Sequence, residues 1–191
     1  MSPAELIARV QRLLLSPATE WDAINGEGAD VTRIYQSYIL PLVALAAVAG
    51  FIGTSLIGIA GFRVGLVSGL IQAIISVLVS AGAVYVMALI INALAPQFGA
   101  KQDMGQAFKV AAYAPTASWV GSLFMILPAL WFMALIGGLY SLYLLFVGLP
   151  KLMKPAADKA MIYTLAVIGC MIVVGVVAFA IIGSVARAGL G

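Results

Sequence analysis

Residues 67 to 94, VSGLIQAIISVLVSAGAVYVMALIINAL, run without one charged side chain. An α-helix rises about 1.5 Å per residue, so this run exceeds the roughly 30 Å of hydrocarbon in a bilayer. Inside lipid a single segment can satisfy its backbone donors and acceptors only as a helix. The rest of the chain agrees with that constraint. Its 191 residues are 64% hydrophobic and 9% charged, with a mean hydropathy of +1.14. Soluble domains carry about 25% charged residues, and a soluble surface this apolar would aggregate. The expected fold class is all-α: a polytopic membrane helix bundle.

Five spans are expected, at about 36–60, 67–94, 107–127, 129–149 and 160–184. The third and fourth are separated at Leu127-Pro128, because 107–149 is too long for one crossing. Five crossings put the chain ends on opposite sides. The N-terminal side then holds Arg9, Arg12, Arg33, Lys101, Lys109, Lys151, Lys154 and Lys159, with Lys109 assigned there by snorkelling. The other side holds only Arg63 and Arg187. Eight against two is a positive-inside bias, so the N-terminus is expected in the cytoplasm and the C-terminus outside.

Residues 1–34 are expected to form a cytoplasmic amphipathic segment ahead of a membrane domain at 35–186. Ser2, Pro3 and Glu5 make a capping box with a first-turn proline. Leu6, Ile7, Val10, Leu13 and Leu14 follow on one face. Ser16-Pro17 restarts the pattern, Trp21 and Ile24 anchor it, and Asn25-Gly26 ends it. Neither piece can span a bilayer. One reading is interfacial, with Trp21 among headgroups and Arg9 and Arg12 toward lipid phosphates. The other packs the apolar face on the bundle or a partner. The dispersed charges of this segment leave no expectation of a signal peptide.

The chain has no histidine and one cysteine. A disulfide within the chain is therefore impossible, and Ser-His, Cys-His and His-zinc chemistry are excluded within one subunit. Cys170, in AVIGCMIVV, reads as a small buried hydrophobe. No Asp, Glu or Arg falls well inside a span, which weakens any ion-coupled pump. No catalytic residue, metal or cofactor is expected. The expected partners are membrane lipids, other membrane proteins or a second copy of the chain, and no nucleic acid.

The remaining polar groups are uncharged. Gln72, Ser76 and Ser80 recur every four residues along span two, as a packing stripe or the wall of a polar pathway. Gly65-x-x-x-Gly69, with Gly58 and Gly61 nearby, is a weak small-residue association pattern. YAPTASW, residues 113–119, groups Tyr113, Pro115, Thr116, Ser118 and Trp119 in otherwise apolar sequence. Pro115 cannot donate to the carbonyl of Ala111 and clashes with it, so a kink is expected there, serving packing or acting as a hinge or pocket. In PKLMKPAADKA, Pro150 and Pro155 limit helix continuation. Lys151, Lys154 and Lys159 face the anionic leaflet or simply set topology.

These features in this order resemble the Yip1-domain family of small five-span membrane proteins in its bacterial form. The residues that carry the likeness are LLLSPATEWDAI at 13–24, then FGAKQDMGQAFKVAAYAPTASW with Tyr113 and Pro115. LYSLYLLFVGL at 139–149 with Gly148 follows, and then the loop ending in Lys159-Ala160. The resemblance implies a multi-pass bacterial inner-membrane protein, N-terminus inside, acting as a scaffold or adaptor of undefined role. It offers no catalytic residues. Eukaryotic relatives act in vesicle traffic with small GTPases, but this chain lacks their long N-terminal region and that role is not carried over. A scaffold organising protein or lipid partners is thus the first reading. A small-solute or lipid transporter is the alternative, and it requires a cavity reaching both Gln72 and Pro115.

Overall fold

In a computed structural model of the protein, residues 1–58 and 62–188 are described, with side chains to Ser184. Gly61 and the Arg187 side chain lie outside them. Every regular element among the described residues is helical. Helix α1 is Pro3–Leu15 and α2 is Pro17–Gly26. The capping box forms as expected. The Ser2 N–H donates to Glu5 Oε2 at 2.6 Å, and the Glu5 N–H donates to the Ser2 hydroxyl at 3.3 Å. Ser16 differs from expectation: its side chain does not cap α2. Its N–H instead closes α1 on the Arg12 carbonyl at 2.8 Å.

Among the described residues, four helices are long and apolar enough to cross a membrane: Val31–Ile57, Leu66–Phe98, Pro128–Met153 and Ala160–Ser184. We call the first of these α3. It starts from an Asp30 cap, whose carboxylate accepts the Arg33 N–H at 2.9 Å. It widens into π-turns at Tyr35–Ile39 and Ile52–Ile57. The first widening directly precedes Pro41, where the missing donor would otherwise break the ladder. Helix α4 is Leu66–Leu94, followed by a tight turn over Ala95–Phe98.

The stretch expected as span three is broken into α5, Met104–Tyr113, and α6, Thr116–Ser122. A 3₁₀ turn at Leu123–Ile126 ends it. This stretch lies beside α3 along its length. At one end a Cβ on Gly105 would meet the Ala29 Cβ at 2.6 Å, and at the other Gly53 abuts the Met125 carbonyl. Helix α7, Trp131–Met153, returns against α6. The two meet at Gly121 and Gly137, where added Cβ atoms would stand 2.5 Å from the Met133 carbonyl and within collision distance of Ala117. Helix α7 also runs through Pro150 to Met153, beyond the expected end at 149, and stops where Lys154 turns left-handed at φ 48°. Helix α8, Ala160–Ala188, packs on α4.

One apolar core joins these parts. Leu13, Trp21 and Ile24 of the N-terminal helices are buried together with Tyr38, Phe108, Leu145 and Tyr163 of the bundle. The outer faces of α4 and α8 remain exposed and apolar, from Leu66 to Leu89 and from Met161 to Ile181. That is the distribution expected of helices solvated by lipid.

Candidate functional site

The break at Pro115 is a fully packed joint. Ending α5 at Tyr113 frees a carbonyl, and the Thr116 hydroxyl donates to it at 2.6 Å. Starting α6 frees N–H groups, and that of Ser118 donates to the Ser141 hydroxyl of α7 at 2.9 Å. The Thr116 oxygen also lies 2.6 Å from the Tyr38 hydroxyl of α3. Thr116 has one proton, already committed to Tyr113, so Tyr38 is the donor of this second bond. Thr116, Tyr38 and Ser141 are all buried. Thr116, next to the proline, and Ser141 of α7 thus take up a carbonyl and an N–H at the break, as a low-dielectric setting demands. Thr116 is local to the kink; Ser141 and Tyr38 come from elsewhere in the chain.

Directly beside this joint sits the N-terminal pair of helices, docked as a cap. Lys109 of α5 is fully buried, and its ammonium donates to the carbonyls of Ile24 at 2.7 Å, Glu27 at 2.8 Å and Asn25 at 3.5 Å. These carbonyls lie at the C-terminal end of α2 and its cap residue Glu27, where a cation also meets the negative end of the helix dipole. Lys109 thus does not snorkel to water as expected; it closes a helix end. Trp21 lies flat against the backbone of α7: a Cβ on Gly148 would fall 2.4 Å from its ring. The indole also stands edge-on to Tyr113 with ring centres 6.4 Å apart. The Tyr140 hydroxyl donates to the Leu14 carbonyl at 2.7 Å, and Lys151 reaches the Asp22 carboxylate at 2.7 Å and the Ala18 carbonyl at 2.8 Å.

The cap's charges pair mostly with one another. The buried Glu20 carboxylate receives Arg12 Nε at 2.6 Å and lies 3.1 Å from Arg9 Nε. Arg9 Nη2 donates to Glu27 at 2.6 Å, and the guanidinium stands 5.7 Å over the Tyr113 ring. Burial alone would lower the Arg9 pKa. The Glu27 hydrogen bond and the charges of Glu27 and Glu20 outweigh that and raise it, so Arg9 stays charged.

Of the two readings of residues 1–34, packing on the bundle holds at three positions: Trp21 is fully buried rather than among headgroups, and Arg9 and Arg12 are held by Glu20 and Glu27. Lys151, expected to face the leaflet or set topology, is held by Asp22. Lys154 and Lys159 are exposed. Of the expected apolar face of α1, Leu6, Val10, Leu13 and Leu14 pack on the core while Ile7 stays exposed. Within the 113–119 group, Thr116 bonds the Tyr113 carbonyl, and the Trp119 N–H on the Pro115 carbonyl at 3.1 Å starts the α6 ladder.

Gln72 and Ser76 line a cleft of about 140 Å³ against Gly50, Phe51 and Thr54 of α3, and Ile182 closes it. Ser80 is not among its walls, nor is any residue of 113–119. Ser76 turns its hydroxyl back to the Ala73 carbonyl. Gly69 packs against Ser55 and Phe51, whereas Gly65 faces open space, so the association pattern works at one glycine only. Glu20 was not singled out in the sequence, although it lies eight residues beyond Arg12 across the Ser16-Pro17 corner. No local signal assigned Tyr38 and Ser141 to the joint or Gly148 to the Trp21 ring.

The helical architecture, its lipid-facing apolar surfaces and its buried polar joints define a polytopic α-helical membrane protein. The Yip1 domain profile matches residues 12–179, and the chain belongs to the Yip1 domain family. It is 26% identical over 167 residues to inner membrane protein YohC of Escherichia coli K12, covering 83% of this chain and 85% of that protein. The same figures hold for the YohC of Escherichia coli O6:H1. No solved structure matches the chain at significance.

Proposed function

We propose that this protein is a non-enzymatic scaffold or adaptor of the bacterial inner membrane, crossing it five times and presenting its docked cap to protein or lipid partners at the cytoplasmic face. The observation that carries the reading is Lys109, which fastens α2 to the broken helix and so makes α1 and α2 a fixed surface. Fixed surfaces bind partners without first having to be ordered. The five crossings draw on the contacts of the 104–126 stretch with α3 and the residues just before it, from Ala29 at one end to Gly53 at the other. They leave eight of ten basic residues on the cap side, which supports a cytoplasmic N-terminus and a periplasmic C-terminus.

The transporter alternative calls for a cavity joining Gln72 to Pro115. The Gln72 cleft contains no residue from the Pro115 joint, which favours the scaffold reading. The test is extraction into native-lipid nanodiscs, with mass spectrometry of co-isolated proteins and lipids, for wild type and Lys109→Met. A protein or lipid enriched with wild type and lost with the variant is the expected result. Bulk lipid alone in both samples would sink the reading. Orientation is tested by labelling cysteines placed at Phe62 and Lys154 in intact cells. Labelling of Phe62→Cys from outside, with Lys154→Cys protected, is expected; the reverse would refute the orientation.

A further inference from the structure

A cleft of about 810 Å³ opens where α1 meets the start of α3, lined by Arg9, Arg12 and Arg33 together with Glu5, Glu27 and Asp30. A second groove of about 560 Å³ shares Met1 and Ser37 with it. This groove is apolar: Leu6 forms one wall, and Pro41, Ala44, Leu45 and Val48 of α3 form the other. From Ser37 to Val48 a helix advances roughly 16 Å, about half the hydrocarbon thickness of a bilayer. A charged cleft thus leads into an apolar groove running along the first span, which is the shape of a phospholipid.

We infer that cleft and groove together bind one aminophospholipid, a lipid whose headgroup carries a phosphate and a primary ammonium. The inference deepens the proposed function by naming a lipid class, and it rests on that reading's placement of the cap at the membrane surface. The charges select the headgroup. Arg33 makes no ion pair among the described residues, because Asp30 takes only its backbone N–H. Arg9 keeps Nη1 buried without an acceptor. These two guanidinium groups face the phosphate.

The carboxylates are only half used. Glu5 accepts from the Ser2 N–H through Oε2, and Asp30 accepts from Arg33 through Oδ1. Each retains one oxygen for an ammonium. A phosphoglycerol headgroup would leave the spare oxygens of Glu5 and Asp30 without a cation, and a quaternary choline has no N–H to offer them. Phosphate and primary ammonium together satisfy both sets.

The full chain is reconstituted in nanodiscs holding equal amounts of phosphoethanolamine, phosphoglycerol and phosphocholine lipids with the same acyl chains. Native mass spectrometry after release then counts the lipids retained. One phosphoethanolamine lipid in several-fold excess is expected. Arg33→Gln changes an exposed side chain that makes no ion pair among the described residues, so the fold survives, and it should lower retention about tenfold. Ala44→Trp, which fills the groove, should abolish retention with the arginines intact. Equal retention of the three lipids, an excess of the phosphoglycerol lipid, or an Arg33→Gln variant that binds like wild type would each overturn the inference. Protein partners captured without a retained aminophospholipid would uphold the scaffold reading and reject this site. A retained aminophospholipid without protein partners would uphold the site.

Discussion

Replacing Thr116 by Val is close to isosteric and removes one oxygen. That oxygen holds two buried groups: it donates to the Tyr113 carbonyl at 2.6 Å and accepts from the Tyr38 hydroxyl at 2.6 Å. A buried polar group left without a partner costs about 1–3 kcal/mol, while interhelical hydrogen bonds in membranes average about 0.6 and reach about 1.7 kcal/mol. Two groups orphaned at one site should therefore destabilise by about 2 kcal/mol. Tyr38→Phe removes only the donor and leaves Thr116 bonded to Tyr113, so its cost should be about 0.5–1 kcal/mol. The double variant should cost no more than Thr116→Val alone, because the orphaned Tyr38 hydroxyl has gone. Reversible unfolding in mixed micelles, followed by far-ultraviolet circular dichroism, measures all three. A Thr116→Val protein within about 0.3 kcal/mol of wild type, below the smallest of these hydrogen-bond costs, would refute the account of the joint. So would a larger cost for Tyr38→Phe than for Thr116→Val.

Gly148→Ala places a methyl 2.4 Å from the Trp21 ring, which is buried and has no room to retreat. Overpacking of this kind costs about 1–3 kcal/mol, visible as a lower unfolding midpoint and a changed Trp21 emission against a Trp119→Phe, Trp131→Phe background. Gln72→Leu touches only the small cleft beside α3 and should change stability by less than about 0.5 kcal/mol; a larger loss in the same unfolding assay would show that Gln72 holds a buried partner. The Ser2 backbone N–H bonded to the Glu5 carboxylate keeps the Glu5 pKa below its ordinary value of 4.5. A lowered carboxylate pKa stabilises the start of α1 above that value and ceases to do so as pH falls through the lowered one. A titration of the Glu5 amide resonance should show that lowered midpoint, and Ser2→Pro, which removes that N–H, should return it toward 4.5.

How far the fold could be read in advance depended on the kind of signal. The capping box at Ser2 and the break at Pro115 follow from local chemistry, since a missing N–H acts on its own turn wherever the chain goes. The packing of the cap did not follow. Lipid is as apolar as a protein core, so hydropathy cannot distinguish Trp21 against a helix from Trp21 among headgroups. Lys109 looked like a snorkelling residue because the carbonyls it closes belong to residues 24–27, more than eighty positions earlier. Gly148 stood out only within the family-like LYSLYLLFVGL stretch, and nothing local tied it to the Trp21 indole that lies on it. The widened turns of α3 were likewise hidden, although Pro41 was a reason to look there.

The central claim is that α1 and α2 are part of the bundle rather than helices resting on lipid. Amide hydrogen exchange of the protein in lipid nanodiscs tests it directly, comparing wild type with Lys109→Met. The account predicts that amides of residues 20–26 in wild type exchange as slowly as those of 107–113 in α5. In Lys109→Met, residues 20–26 should lose that protection while α4 keeps its own. Fast exchange of residues 20–26 in wild type, unchanged by the substitution, would contradict it.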